Sequence, residues 1–190
     1  MKAFKHNIIL ASKSPRRSEL LSKSGFDFEI KTLDVEENYP ETMNVYDVPE
    51  YLARKKATES ISLLQSNQIL ITADTVVIFD GEIFGKPTSV KHAFEMLNAL
   101  SSKKHTVVTG VCILSHEKEL SFSDTSYVQL SNLNDEEIHF YIDTYKPFDK
   151  AGSYAIQEWI GLCKIEKIEG SYSNIMGLPM QKLYPALESF

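Results

Sequence analysis

Short apolar runs typical of buried strands alternate along this chain with segments patterned as helices. The first run, residues 8–11, is followed at once by Ser14 and Pro15, which favour the start of a helix. The alternation continues to the C-terminus without long linkers. It therefore predicts the α/β class, with a mixed sheet flanked by helices.

Most of the predicted elements have their own local signal. Asp80 and Gly81 form a strong two-residue turn between β-rich runs and predict a hairpin over residues 68–87. Asp47 is a candidate helix N-cap, with Glu50 at the capping-box position and apolar residues at helical spacing as far as Leu64. Further helices are predicted at 15–24, 89–101, from 135 to 145 and near Pro179, and further strands at 26–33, 105–116 and 120–130, with one more after residue 147.

Length and charge limit the classes of function. The 190 residues suffice for one α/β domain over residues 1–190, with two lobes as an option. The formal net charge of −6 argues against a protein that mainly binds nucleic-acid polymers, because such binding rests on a broad basic surface. A small anionic ligand remains compatible with this charge.

The sequence also predicts a cellular location. Cys112 and Cys163 lie far apart and match no metal-ligand spacing, so we expect reduced thiols. The N-terminal stretch has too few consecutive apolar residues for a signal peptide, and no later segment approaches membrane-spanning length. We therefore expect a cytoplasmic protein without membrane contact.

Two adjacent arginines, Arg16 and Arg17, stand where the first helix should begin. The backbone dipole at a helix start disfavours cations unless an anion neutralises them. With the hydroxyls of Ser12 and Ser14, these arginines could form a phosphate site. The alternative is two solvated surface arginines, and the pattern alone does not decide between them.

Asp74 interrupts the apolar run "ILITADTVVIF". A carboxylate in such a strand is costly to bury unless it is paired, hydrogen-bonded or bound to a cation. It could be a metal ligand or general base, or an aspartate at a strand end that holds backbone N–H groups. Thr75 beside it could bond a ligand or simply suit a strand.

Four more charged residues are ambiguous one by one. Glu36 and Glu37 lie in a polar loop, Lys56 lies on a helix flank, and Lys86 is held between a glycine and a proline. The sequence carries no zinc-binding histidine pattern and no motif for a covalent nucleophile. The remaining acids and cations suit hydrolysis of a phosphate ester or anhydride assisted by a divalent metal.

Five motifs in order carry a family resemblance: "LASKSPRRSELL", "ADTVV", "GKP", "DKAGSYAIQ" and "GSYSNIMGLP". They resemble the Maf-like nucleoside triphosphate pyrophosphatases over almost the entire chain. The resemblance implies an inosine-triphosphatase-like fold, with an elongated mixed sheet and a cleft between two lobes. It also implies hydrolysis of a nucleoside triphosphate to the monophosphate and pyrophosphate.

The resemblance also implies roles for single residues. Asp74 matches the proposed catalytic base, and the phosphate- and metal-handling positions match Ser12, Arg17, Glu37 and Lys86. Arg16, Lys56, Thr75 and Gln157 match positions that are associated with one branch of the family. This branch is similar to dTTP/UTP pyrophosphatases, as opposed to the branch that acts on 7-methyl-GTP. The chain departs from the usual "DKAGAYGIQG" at Ser153, Ala155 and Glu158, so the loop that carries Gln157 could be displaced.

These roles fit the chemistry of water attack on the α-phosphorus. Asp74, with Glu36 or Glu37, could hold Mg²⁺ or Mn²⁺, while Arg17 and Lys86 clamp the pyrophosphate. Gln157 could bond the edge of a pyrimidine through its donor and acceptor.

Other functions remain open at this level. A nucleotide-binding regulator of cell division with little turnover is the main alternative to nucleotide-pool house-cleaning. A nucleotide-binding protein that acts on nucleic acid is a less favoured hypothesis, because the net charge is negative. Assembly into a homodimer is also left open.

Overall fold

A computed structural model describes residues 7–190, so the first residues of the stretch judged too polar for a signal peptide lie outside the described residues. Seven strands are described: β1 (Asn7–Leu10), β2 (Phe28–Ile30), β3 (Gln68–Phe79), β4 (Glu82–Phe84), β5 (Lys104–Leu114), β6 (Glu119–Leu130) and β7 (Ile165–Glu169). The described α-helices are α1 (Pro15–Lys23), α2 (Val48–Glu59), α3 (Val90–Leu100), α4 (Asp135–Tyr145), α5 (Trp159–Cys163), α6 (Tyr172–Ile175) and α7 (Met180–Ser189). Short 3₁₀ turns occupy Ile61–Leu63, Pro147–Asp149 and Ala151–Ser153.

The strands form one mixed sheet in the order β2-β1-β3-β5-β6-β7, and β4 pairs with β3. β1 runs parallel to both neighbours, with Ile8 opposite Phe28 and Ile69. β4 is antiparallel to β3, and β7 is antiparallel to β6. The prediction of a mixed α/β architecture is confirmed.

The chain divides into two compact units. The first unit comprises Met1–Asp74, of which residues 7–74 are described, with Thr109–Asp124 and Gly177–Phe190. The second unit comprises Thr75–Val108 and Thr125–Met176. Strands β3, β5 and β6 therefore contribute residues to both units, and the prediction of one family domain over residues 1–190 stays a prediction.

In the first unit, strands β1, β3 and β5 are buried on both faces. Alternate residues of β1, β3 and β5 enter two apolar clusters, as the two-residue repeat of a strand requires. One cluster contains α1 and α7, through Leu21, Leu183 and Leu187, together with Ile8, Leu10, Ile69, Ile71, Val111 and Ile113. The other contains α2, through Ala53 and Ala57, together with Ile9, Leu70 and Cys112. Burial on both faces explains the unbroken apolar run of β1.

Helix α2 lies directly against β5 at Gly110. A Cβ atom at this position would lie 2.2 Å from Glu50 N and 2.3 Å from the carbonyl carbon of Pro49. Both are backbone atoms of α2, so neither can move aside cheaply. Glycine is therefore required for the packing that fixes α2 on the sheet.

The second unit has its own core around α3 and α4. This cluster contains Val77, Ala93, Leu97, Leu100, Val107, Val128, Ile138, Tyr141, Ile142, Tyr154 and Ile160, among others. The hairpin prediction is confirmed in this unit, because Asp80 and Gly81 join β3 to β4 with φ angles of 52° and 82°. Two positive φ angles are the signature of the type I′ turn.

Some local predictions were wrong. The Asp47 side chain makes no cap hydrogen bond, and Glu50 instead accepts a 2.7 Å bond from Ser121 Oγ. Helix α2 ends at Glu59, so Leu64 lies beyond it, and the predicted strand at 26–33 shortens to Phe28–Ile30. Helix α4 spans Asp135–Tyr145 as predicted, and Asn134 caps it in a capping box with Glu137. The short helices α5 and α6 were not predicted.

Candidate active site

The turn from β1 into α1 is organised by Ser12 rather than by Ser14. Ser14 is the N-cap residue, but its side chain makes no cap hydrogen bond. The buried Ser12 Oγ accepts a 3.2 Å bond from the backbone N–H of Ser14 and another of 3.2 Å from Arg17 Nη1. Ser12 therefore fixes both the start of the helix and the guanidinium of Arg17.

Arg17 is half-buried and its guanidinium makes hydrogen bonds within the protein, so it is not a solvated surface arginine. Its Nε donates a 2.7 Å bond to the carbonyl of Gly177, which anchors it to the segment before α7. Burial lowers the pKa of Arg17, while the charges of Asp74 and Glu37 raise it. The chain's own carboxylates thus offset part of the positive charge at the start of α1, and the adjacent Arg16 is half-buried as well.

Asp74 lies inside β3 and not at a strand end, with only 7% of its surface exposed. Its Oδ1 accepts a 2.5 Å bond from Lys56 Nζ, which also donates a 2.7 Å bond to Glu37 Oε1. Burial raises the pKa of Asp74, the charges of Lys56 and Arg17 lower it, and Glu37 raises it further. A carboxylate with a raised pKa is suited to accept a proton.

The two acidic loop residues are both exposed but have different partners. Glu36 is exposed, and its carboxylate accepts a 3.1 Å bond from Asn38 Nδ2. The carboxylate of Glu37 instead forms a 2.7 Å ion pair with Lys56 Nζ. The preceding lysine, Lys55, contacts Asn38 Oδ1 and donates a 2.8 Å bond to the carbonyl of Glu36, so it holds this loop against α2. Sequence reasoning missed Lys55, because its partners lie in a loop of irregular course.

The arrangement of carboxylates is compatible with a divalent cation. The carboxylates of Asp74 and Glu37 lie close together, because both bond Lys56 Nζ, at 2.5 Å and 2.7 Å. Mg²⁺ is usually held by one or two carboxylates, with waters and substrate phosphates as its other ligands. Within residues 7–190 no group of three or more His, Cys, Asp or Glu side chains could hold a metal. The donor set therefore fits a cation shared with a substrate, not a closed protein site.

The other sequence-predicted residues belong to the second unit. Thr75 is half-buried in β3, and Lys86 is exposed just after β4. Gln157 is half-buried, but its Oε1 is buried without a hydrogen-bond partner. The contacts described for the first unit connect Ser12, Arg17, Glu37, Lys56 and Asp74.

The three departures from the family motif are accommodated in different ways. Ser153 is fully buried with a φ of 63°, and its Oγ has no hydrogen-bond partner. The backbone N–H of Ala155 donates a 3.0 Å bond to the hydroxyl of Tyr141. The same hydroxyl donates a short hydrogen bond to Glu158 Oε2. The loop around Gln157 is therefore tied to α4.

An α/β fold in which a buried carboxylate shares a network with a lysine and an arginine fits the class of hydrolases that act on phosphorylated substrates. A family model described as "Maf-like protein" matches residues 7–190. The chain belongs to this Maf-like family.

Relatives with assigned names cover nearly the whole chain. A Bacteroides thetaiotaomicron protein named "dTTP/UTP pyrophosphatase" is 50% identical over 185 residues, which are 97% of this chain and 96% of that protein. A protein of the same name from Porphyromonas gingivalis is 50% identical over 189 residues, which are 98% of this chain and 95% of that protein. Among solved structures, the Staphylococcus aureus Ham1 protein is 17% identical, with a TM-score of 0.48 over 65% of this chain and 71% of that chain.

Helices long and apolar enough to cross a bilayer are absent from the part of the chain that the structure describes.

Proposed function

We propose that this chain hydrolyses dTTP and UTP to the monophosphate and pyrophosphate. The observation that carries the proposal is the network in which Lys56 joins the buried Asp74 to Glu37. The names of the relatives that are half identical to this chain support the same reaction.

Asp74 acts as the general base in this proposal. It takes a proton from the water whose oxygen attacks the α-phosphorus, and the bond from that phosphorus to the oxygen bridging to the β-phosphorus breaks. Burial supports this role, because it raises the pKa of Asp74 and so strengthens the base. The bond from Lys56 orients the carboxylate.

Arg17 binds the phosphate oxygens. Its guanidinium is oriented by Gly177 and Ser12 before any substrate arrives, so little side-chain freedom is lost on binding. The start of α1 adds backbone N–H groups that favour an anion. Arg16 and the hydroxyl of Ser14 are assigned to the same phosphates from their place at the start of α1.

A divalent cation, Mg²⁺ or Mn²⁺, is part of the proposal. Asp74 and Glu37 would hold it, and Glu36 is the weaker candidate because its carboxylate is bonded to Asn38. When bound, the cation would neutralise charge on the phosphates and lower the pKa of a bound water.

Three further roles come from the resemblance. Lys86 supplies a cation to the pyrophosphate leaving group, Thr75 contacts the nucleotide, and Gln157 bonds the base. The buried and unpartnered Oε1 of Gln157 supports its role, because an N–H donor on the base would satisfy it.

The cellular role in this proposal is removal of surplus or unwanted triphosphates in the cytoplasm. The alternative, a nucleotide-binding regulator of cell division, is less favoured because the relatives are named as pyrophosphatases. Assembly into a homodimer stays a prediction that light scattering would check.

A panel of triphosphates, assayed for pyrophosphate with and without Mg²⁺, tests the proposal. We expect dTTP and UTP to be hydrolysed faster than ATP, GTP or 7-methyl-GTP, and only with the metal. Tight binding of the nucleotides without pyrophosphate release would favour the regulator instead.

A further inference from the structure

Gln157 lies between two residues that are bonded to one hydroxyl group. Two positions before it, the N–H of Ala155 donates a 3.0 Å hydrogen bond to Tyr141 Oη. One position after it, Glu158 Oε2 accepts a hydrogen bond from the same Oη. The hydroxyl of Tyr141 thus holds the chain on both sides of Gln157.

Tyr141 is a rigid point of attachment. The residue is fully buried in the core of the second unit and stacks on Tyr145, with ring centroids 4.9 Å apart. Its pKa is raised, because burial disfavours the phenolate and Glu158 adds to this effect. Tyr141 therefore stays a neutral hydroxyl that can donate one bond and accept another.

Glu158 has a second partner. Lys150 Nζ lies 3.4 Å from Glu158 Oε1 and 2.9 Å from Asp149 Oδ1, and it donates a 3.4 Å bond to the carbonyl of Tyr145. The side chains of Lys150 and Glu158 are 8% and 19% exposed. Such shielded pairs are held more firmly than pairs on an open surface.

We propose that Tyr141 and Glu158 are positioning residues that hold Gln157 for selection of the base. This rests on the proposed function. The family's usual motif has glycine where this chain has Ala155 and Glu158, and glycines leave a loop free to move. Here Glu158 supplies a carboxylate, absent from glycine, that accepts a hydrogen bond from Tyr141, and Ala155 has less backbone freedom than glycine, so both changes restrict the loop.

The substrates that Gln157 should separate are UTP and CTP. The two bases have the same size, but uracil presents an N–H donor and a carbonyl where cytosine presents a ring-nitrogen acceptor and an amino donor. A mobile glutamine amide could rotate to suit either base. A fixed amide presents its unpartnered Oε1 and its Nε2 at set positions, so it favours the base whose donor and acceptor face them in that order.

The test uses Tyr141→Phe in the full chain, with Tyr145→Phe as the matched control. Both variants lose one hydroxyl from neighbouring stacked tyrosines of the same helix. We expect Tyr141→Phe to lower the ratio of kcat/KM for UTP to that for CTP by about threefold to tenfold, the effect of one lost hydrogen bond. Product inhibition by pyrophosphate should stay unchanged, since this ligand has no base.

Two substitutions at Glu158 separate positioning from folding. Glu158→Gln keeps an oxygen that can accept from Tyr141 and should retain at least half of the wild-type ratio. Glu158→Gly restores the family's residue and should reduce the ratio as Tyr141→Phe does. Equal ratios in the wild type, Tyr141→Phe and Glu158→Gly would overturn the inference.

Amide hydrogen exchange gives a readout that does not depend on turnover. The Ala155 N–H should exchange at least about fivefold faster in Tyr141→Phe than in Tyr145→Phe, because its acceptor is gone. Unchanged exchange would refute the attachment itself. If the wild type releases no pyrophosphate from UTP, the proposed function is wrong. If the ratio of kcat/KM for UTP to that for CTP changes in Gln157→Ala but not in Tyr141→Phe, the proposed function stands and only the positioning role of Tyr141 is wrong.

Discussion

Lys56 donates a 2.5 Å hydrogen bond to Asp74, and both side chains are largely withdrawn from solvent, with exposures of 16% and 10%. The two residues come from α2 and β3, which pack on each other through the cluster of Ala53, Ala57 and Leu70. The apolar contacts of the first unit therefore set the geometry of the candidate base. This relationship leads to the first prediction.

Asp74→Asn should keep the fold and nucleotide binding but lower turnover at least about a hundredfold. The amide cannot accept the proton or hold a cation as a carboxylate does. Steady-state assays with UTP would measure the change, and Asp34→Asn is the control because that aspartate is exposed and paired with Lys13. Near-normal turnover in a folded Asp74→Asn variant would remove Asp74 from the base role.

Arg17→Ala should weaken binding of a triphosphate far more than binding of the nucleoside. The guanidinium is held at the start of α1, where it can meet phosphate oxygens. Calorimetry with a non-hydrolysable UTP analogue and with uridine would separate the two effects. Arg54→Ala is the control, since Arg54 is an exposed arginine of the same unit that pairs with Glu119. Equal losses for both ligands would place Arg17 away from the phosphates.

His105 should make the protein less stable in acid. Burial lowers the pKa of His105 to about 4, and its Nε2 is bonded to Tyr154 Oη at 2.7 Å. The unfolded chain binds a proton at this residue below about pH 6.5, whereas the folded chain does not until about pH 4. The free energy of unfolding should thus fall by about 3 kcal/mol as the pH drops through this window.

Urea denaturation at pH 7 and at pH 4.5 would check this effect. His105→Gln should lose less stability between the two values than the wild type does. His116→Gln should behave like the wild type, because His116 is exposed. The same pH dependence in all three proteins would show that His105 is not the group responsible.

Gly110→Ala should destabilise the protein by about 3 kcal/mol, the upper end of the usual cost of overpacking, because the backbone atoms that it meets cannot move aside. The added Cβ would lie 2.2 Å from the backbone of α2. Gly85→Ala is the matched control, since a Cβ there meets nothing within 4 Å. Thermal unfolding would compare them, and similar midpoints would show that α2 does not pack on β5 as described.

Features with local signals could be predicted from the sequence. The turn at Asp80 and Gly81 needs two positive φ angles, and the residue types that tolerate them are few. The residues of β1 form an apolar run because both faces of this strand are buried. Ser14 and Pro15 indicate the start of the next helix. These signals lie within a few residues of the elements that they predict.

Features that depend on distant partners could not be predicted. The spacing of Glu50 predicts a capping box, but its carboxylate instead accepts a hydrogen bond from Ser121, which lies 71 residues later. Glu37 bonds Lys56, which lies 19 residues away, and the two hydrogen bonds of Tyr141 span 14 and 17 residues. Spacing rules describe one helix or strand, so they carry no information on such contacts.

Hydrolysis of UTP in ¹⁸O-labelled water tests the central claim most directly. Water attack on the α-phosphorus places the label in UMP and leaves the pyrophosphate unlabelled, and ³¹P NMR or mass spectrometry distinguishes the two products. We predict one labelled oxygen in UMP for each pyrophosphate released, with loss of both products in Asp74→Asn. Label in the pyrophosphate, or release of UDP and inorganic phosphate, would contradict the account.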